Sequence, residues 1–176
     1  VDPELLGEIA SLMSTLCTDE GNVRDVIDSG FVPKLLDLVD KRPDYLKDPR
    51  CMENVAYLFE TLAQVDEVPA QLQGLGAPDA LIQAMAKNPN DNDLQLACAK
   101  ALSAISGVDS NITPLIDQLD GMVHELQETE NPAIIPQITN LLKPIGNIVA
   151  LEGDNVDQET ADKLMTSVQS ALKTLE

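Results

Sequence analysis

The most constraining feature of this sequence is a pattern that returns at intervals of 43 to 46 residues. GFVPKLL at Gly30 recurs as GAPDALI at Gly76 and as GMVHELQ at Gly121, 46 and 45 residues apart. A longer apolar rhythm returns as well: IASLMSTLC from Ile9, VAYLFETLA from Val55, CAKALSAIS from Cys98 and LLKPIGNIV from Leu141, at steps of 46, 43 and 43. A period of this size marks stacked supersecondary units, none of which buries its apolar stripe alone. The clearest copy is Asn92 to Gly107, where Leu94, Ala97, Cys98, Ala101, Leu102 and Ile105 fall at the three- and four-residue steps of a helix with one broad buried face.

The remaining segments can be placed around these anchors. Asp2-Pro3 is a helix start, with a side-chain acceptor and a proline at the first helical position. The first helix is predicted to run to about Cys17 with Leu5, Leu6, Ile9, Leu12, Met13 and Leu16 on its apolar set, and the polar run Thr18 to Asn22 to break it. Helices over Val23–Asp28 and Phe31–Asp40 follow, separated by Ser29-Gly30. Lys41 to Pro49, with two prolines and alternating charge, reads as a solvated loop. Beyond it the pattern predicts a long helix Arg50–Val65, a short one Glu67–Leu75, a turn at Gly76-Ala77-Pro78, a helix Asp79–Lys87 and a turn at Asn88 to Asp91.

After Gly107 the spacing predicts helices Asn111–Leu119 and Gly121–Glu128, then a run from Asn131-Pro132 to Leu151 that Pro136 and Pro144 must kink or start late. A last amphipathic helix, Asp157–Leu175, carries Leu164, Val168, Ala171, Leu172 and Leu175. No stretch alternates with the two-residue period of a strand, so no sheet is expected. A single helical-repeat domain over 1–176 results, with units at roughly 1–17, 18–65, 66–107, 108–151 and 152–176.

Composition narrows the function. Thirty acidic residues against 11 basic ones give a formal charge of −19, which repels nucleic-acid phosphates and anionic membranes and suits either solubility alone or a basic protein partner. Only 2% of the chain is aromatic and there is no Trp, so the core falls to Leu, Ile, Val, Ala and Met. Cys17, Cys51 and Cys98 are odd in number, far apart and within apolar helical patterns, which favours buried thiols in a reducing, cytoplasmic setting. No apolar run is long enough to span a bilayer. The opening Val1-Asp2-Pro3, without Met, reads as a fragment or processed form.

Each unit, a short helix, a glycine turn, a second helix, a loop and a long third helix, resembles the armadillo repeat, carried by GxxxxLxxL at Gly30 and ALxxIS at Ala101 to Ser106. The resemblance is clear over Ile9 to Gly107 and weaker beyond, where HEAT-type repeats remain the alternative. It implies an all-α, right-handed superhelix of about three and a half units, whose third helices line a concave groove that holds a partner segment.

In importin alpha, a member of that family, this helix carries Trp and Asn ladders for basic nuclear-localisation peptides. The Trp position is occupied here by Ser11, Tyr57, Lys100 and Lys143 and the Asn position by Thr15, Thr61, Ala104 and Asn147, so that mode of recognition is not expected. The groove positions are Glu53, Tyr57 and Thr61 on one helix, Leu96 and Lys100 on the next, and Thr139, Lys143 and Asn147 on the third.

Tyr57 offers a rigid apolar face with a polar tip, as an anchor or as packing. Leu96 is an apolar contact or a packed side chain. Lys100 and Lys143 either form a positive strip resembling the groove lysines with which beta-catenin meets acidic partners, or are independent surface charges. The reading is a non-catalytic module that binds a protein segment and needs no cofactor or metal. The alternative is a structural segment of a cytoskeletal or multi-protein assembly, acting through its ends or its acidic convex face.

Competing chemistries lack the necessary residues. His124 has no Cys or His at ligand spacing, and the thiols have no histidine base on their own helical faces. Asn88 to Asp93 lacks the glycine and glutamate of a calcium loop and reads instead as a capped turn. Asn111-Ile112-Thr113 matches a glycosylation triplet, but Pro114 follows directly.

Overall fold

The helix boundaries follow from a few side chains that satisfy free backbone N–H groups. Asp2, Asp19, Asp48 and Asp91 each accept from a backbone N–H in the first turn of the helix they precede: Asp2 from Glu4 at 3.2 Å, Asp19 from Asn22 at 3.0 Å, Asp48 from Cys51 at 2.8 Å and Asp91 from Leu94 at 2.9 Å. The computed structural model describes residues 2–175; Val1 and Glu176, and the side chains of Val108 and Leu175, lie outside the described residues. The expected contribution of Leu175 to the last apolar face falls there, as does the start at Val1.

Among the described residues the chain is all-α, with ten α-helices and no strand. They are α1 (Pro3–Leu16), α2 (Glu20–Asp28), α3 (Phe31–Lys41), α4 (Pro49–Leu62), α5 (Val68–Gly74), α6 (Ala77–Lys87), α7 (Asn92–Ile105), α8 (Val108–Thr129), α9 (Ile135–Glu152) and α10 (Gln158–Leu175). Their contacts gather into two compact units, Val1–Ser106 and Gly107–Glu176.

In the first unit α4 lies between α1 and α7, and α3 packs on α2 and on α6. Gly30 and Gly76 precede α3 and α6 with φ of 69° and 84°, a left-handed backbone that glycine adopts without penalty. Short helix, left-handed glycine, helix, loop and long helix therefore occur twice, in α2–α4 and α5–α7. The core is mostly aliphatic, with every residue of the predicted α7 face buried and with Leu58, Leu62, Leu72, Leu81 and Met85 fully enclosed, but Tyr45 and Phe59 are enclosed with them. The α1 set is only half covered: Leu6 is buried, whereas Leu5, Leu12 and Leu16 are exposed.

Three expectations for this unit require correction. The polar run after Cys17 does not separate helices over its whole length, because Asp19 caps a helix whose first turn is Glu20-Gly21-Asn22. Ala77 and Pro78 belong to the first turn of α6, proline being suited to that position. The segment before α4 is not a solvated loop: Tyr45–Lys47 forms a 3-10 turn in which Tyr45 and Leu46 are buried, with the Arg42 guanidinium 5.2 Å from the Tyr45 ring centre.

The Asn88 to Asp91 turn ties two parts of the unit together. Asn88 Nδ2 donates to the Leu46 carbonyl at 2.7 Å, and the buried Gln95 donates to the carbonyls of Met85 at 2.8 Å and Asn88 at 3.1 Å. These polar side chains satisfy carbonyls at the end of α6 and in the 3-10 turn before α4 that burial would otherwise leave at a cost.

In the second unit α8 lies between α9 and α10. The two short helices expected over Asn111–Glu128 are one helix of 22 residues, with Pro114 exposed within it and Gly121 in its interior. Its apolar series Ile112, Leu115, Ile116, Leu119, Val123 and Leu126 is buried throughout and keeps helical steps across Gly121, so the third glycine makes no turn. The late start foreseen after Pro132 occurs: a 3-10 turn, Pro132–Ile134, precedes α9. Asp157 caps α10, accepting from Thr160 N at 2.7 Å.

Candidate functional site

The positions named from the sequence fall on two surfaces, one in each unit. In the first unit, Tyr57 projects from α4, with Glu53 one turn before it and Thr61 one turn after; Leu96 and Lys100 occupy consecutive turns of α7, the neighbouring helix. Tyr57 is 43% exposed and Leu96 50% exposed, on helices whose other large apolar side chains are buried. Thr139, Lys143 and Asn147 share an exposed face of α9 in the second unit. Lys100 and Lys143 thus belong to different units.

The surroundings of Tyr57 are acidic. Coverage of the ring first, and then the carboxylates of Glu53, Glu60 and Asp93, push its phenol above the ordinary range. The proton therefore stays on, and Tyr57 presents a neutral ring and hydroxyl beside these carboxylates. Lys100 is the cationic member of this surface and makes no ion pair among the described residues.

Glu60 and Asp93 were absent from the candidate set, yet they lie three residues from Tyr57 and Leu96 respectively. Helical neighbour spacing alone points to both.

The threonines play a smaller part than their position suggests. Thr61 Oγ1 donates to the Tyr57 carbonyl at 2.8 Å and lies 2.9 Å from Ser14 Oγ, so its hydroxyl is used in joining α4 to α1. Thr139 Oγ1 donates to the Ile135 carbonyl at 3.0 Å, within its own helix. Neither needs a ligand for satisfaction.

The remaining candidates resolve into structural roles. Cys17, Cys51 and Cys98 are free and buried. Burial, followed by the charge of Asp48, pushes the Cys51 thiol up to about 12; burial, followed by Glu53, pushes Cys98 further in the same direction. Both are held as thiols, the form that is a poor nucleophile. Exposed His124 lies 3.3 Å from Glu128 on its own helix. Asp91 caps α7, as the capped-turn reading of Asn88 to Asp93 requires. Among the described residues no group of three His, Cys, Asp or Glu side chains is placed to hold a metal ion, and no helix is long and apolar enough to cross a membrane.

No protein-family model, curated protein or solved structure matches this sequence.

Proposed function

We propose that this chain is a non-catalytic, armadillo-like interaction module, cytoplasmic and part of a larger scaffold or adaptor, that docks a segment of a partner protein across its long helices. The observation that carries the reading is the pair Tyr57 and Leu96, large side chains left half in solvent on adjacent, otherwise well-buried helices. Aromatic anchors with a polar tip supply much of the binding energy at protein interfaces. The short helix, glycine, helix, loop and long helix order of α2–α4 and α5–α7 supports the family reading. Three free, buried cysteines suit a reducing compartment.

The partner segment places an apolar side chain against Tyr57 and Leu96. In this first unit Lys100 and the carboxylates of Glu53, Glu60 and Asp93 border that contact. Thr139, Lys143 and Asn147 form a separate candidate surface on α9.

Selection of displayed, naturally disordered protein segments on the native chain tests this. Tyr57→Ala with Leu96→Ala is expected to weaken the selected segments by roughly tenfold or more, as truncation of interface anchors does, with the helical circular dichroism unchanged. Segments bound equally well by native and double variant would remove the reading.

A second reading, an assembly segment acting through its end, is favoured by α1. Leu5, Leu12 and Leu16 are exposed, whereas their equivalents one repeat later, Cys51, Leu58 and Leu62, and two repeats later, Leu94, Ala101 and Ile105, are all buried. Cys51 faces α1, since a Cβ on Gly7 would lie 3.1 Å from its Cα. The α1 face equivalent to one that is covered in α4 is thus open, and another helix of the same kind fits it. Sedimentation of the native chain against Leu12→Glu decides: concentration-dependent association that the charge abolishes supports assembly, and identical monomeric behaviour removes it.

A further inference from the structure

A second feature of the first unit lies away from Tyr57, between α3 and α6. Because Gly30 and Gly76 start these helices in the same way, their exposed faces run alongside each other and leave a cleft of about 430 Å3, within the range of about 300–1,000 Å3 typical of ligand pockets. Pro33 and Leu36 line it from α3, Ala80 from α6 and Leu75 from the turn between α5 and α6. Leu75 is 41% exposed.

Three carboxylates share this lining, Asp37 and Asp40 from α3 and Asp79 from α6. Lys41 pairs with Asp37 at 2.8 Å, an exposed i,i+4 contact of the kind that an incoming cation can replace. Asp40 and Asp79 make no ion pair among the described residues. A neighbouring cleft of about 380 Å3 shares Pro33 and Leu75 with the first and continues along Ile27, Val32, Gln71 and Gly74 without any charged side chain. The two form one depression with an acidic half and an uncharged half, divided by Pro33 and Leu75.

We propose that this depression is a second docking site, for a segment of a partner protein that pairs an apolar side chain with lysine or arginine. The cation enters the acidic half, where it meets Asp40 and Asp79, and the apolar side chain covers Leu75 and the uncharged half. Charge complementarity selects this occupant. Nucleic acid is repelled by the same carboxylates, and a second copy would have to bring one of its 11 basic residues, among 30 acidic ones, into this acidic half. The site is independent of the Tyr57 surface, so either can fail without the other.

A displayed random-peptide library is selected on the native chain, and one enriched peptide is synthesised with a fluorophore and titrated by polarisation. The expected peptides combine apolar and basic residues. Binding is expected to weaken about tenfold in the Asp37→Asn, Asp40→Asn, Asp79→Asn variant and to fall as salt is raised. It is also expected to weaken in Leu75→Ser and to persist in the Tyr57→Ala, Leu96→Ala variant. Thermal melts establish that each variant is folded. Enrichment of peptides without basic residues, equal affinity for the triple variant, or no peptide that prefers the native chain to it would each overturn the site. Dimerisation of the native chain that the triple variant loses would replace the proposed occupant by a second copy and overturn it as well.

Discussion

The two units of this protein use the same glycine-led heptapeptide to opposite effect. At Gly30 and Gly76 the preceding helix ends, the glycine takes a left-handed backbone and a new helix starts. At Gly121 the glycine lies in the interior of α8. The difference is decided upstream. The glycine N–H tightens each helix end by bonding the carbonyl three residues back, Gly30 to Ile27 and Gly76 to Gln73, whereas the residues around Gly121 continue a buried series, Leu119 to Val123, at helical spacing. Burial of that continuous stripe outweighs the roughly 1 kcal/mol that glycine costs in a helix interior. A glycine permits a turn, but the packing on either side determines whether one forms.

One helix from each unit, α4 and α10, also differ in how completely they are covered. Leu58, Phe59 and Leu62 of α4 are fully enclosed, whereas α10 buries Thr160, Ser167 and Ala171 and leaves Leu172 60% exposed. The largest expected effect tests this contrast. Phe59→Ala should lower stability by about 3–5 kcal/mol, while Leu172→Ala should stay within about 0.5 kcal/mol, measured as shifts in the urea unfolding midpoint at constant slope. Comparable losses from both would show that α10 is packed more fully than its exposure indicates.

A smaller but sharper test is one of sign. Gly30→Ala places a Cβ on a residue with φ of 69° and should destabilise by about 1 kcal/mol. Gly121→Ala adds a Cβ with no neighbour within 4 Å in the middle of a helix, and should stabilise by up to about 1 kcal/mol. Equal signs in thermal melts would mean that the two glycines do the same job after all.

The cysteines offer the finest probe, because all three lie in the first unit. In the folded chain Cys51 holds its proton up to about pH 12, against an ordinary value of 9.0. As pH rises above 9, the unfolded chain releases this proton while the folded chain retains it. The contribution of the buried neutral thiol is therefore complete below pH 9 and is lost progressively as pH climbs toward 12. Near pH 8, alkylation of Cys51 and Cys98 should follow opening of the first unit and accelerate sharply in urea. Rapid labelling without denaturant would contradict the burial of both thiols.

Much of the first unit was legible because its signals are local and agree with one another. Aspartate before a helix, glycine after one and apolar steps of three and four placed α1, α4 and α7 to within a few residues, and every side chain on the predicted α7 face is buried. Tyr45 and Leu46 escaped this reading, since two apolar residues among charges carry no period and become core only through the helices that meet over them. The candidate site was legible in the same partial way. Helical spacing placed Glu53, Tyr57 and Thr61 on one face, but whether Thr61 serves a ligand or its neighbour Ser14 depended on how closely α1 approaches α4.

The sequence by itself determined that this protein is helical, that its core is mostly aliphatic and where most of its helices begin, because caps, prolines and apolar periodicity act through neighbours along the chain. Only the tertiary structure decided that Gly121 does not turn, that Asn88 and Gln95 are structural ties, that Tyr57 stands among carboxylates and that α3 and α6 leave an acidic cleft. Each of these depends on side chains from different helices, and their meeting is fixed by packing rather than by spacing in the chain.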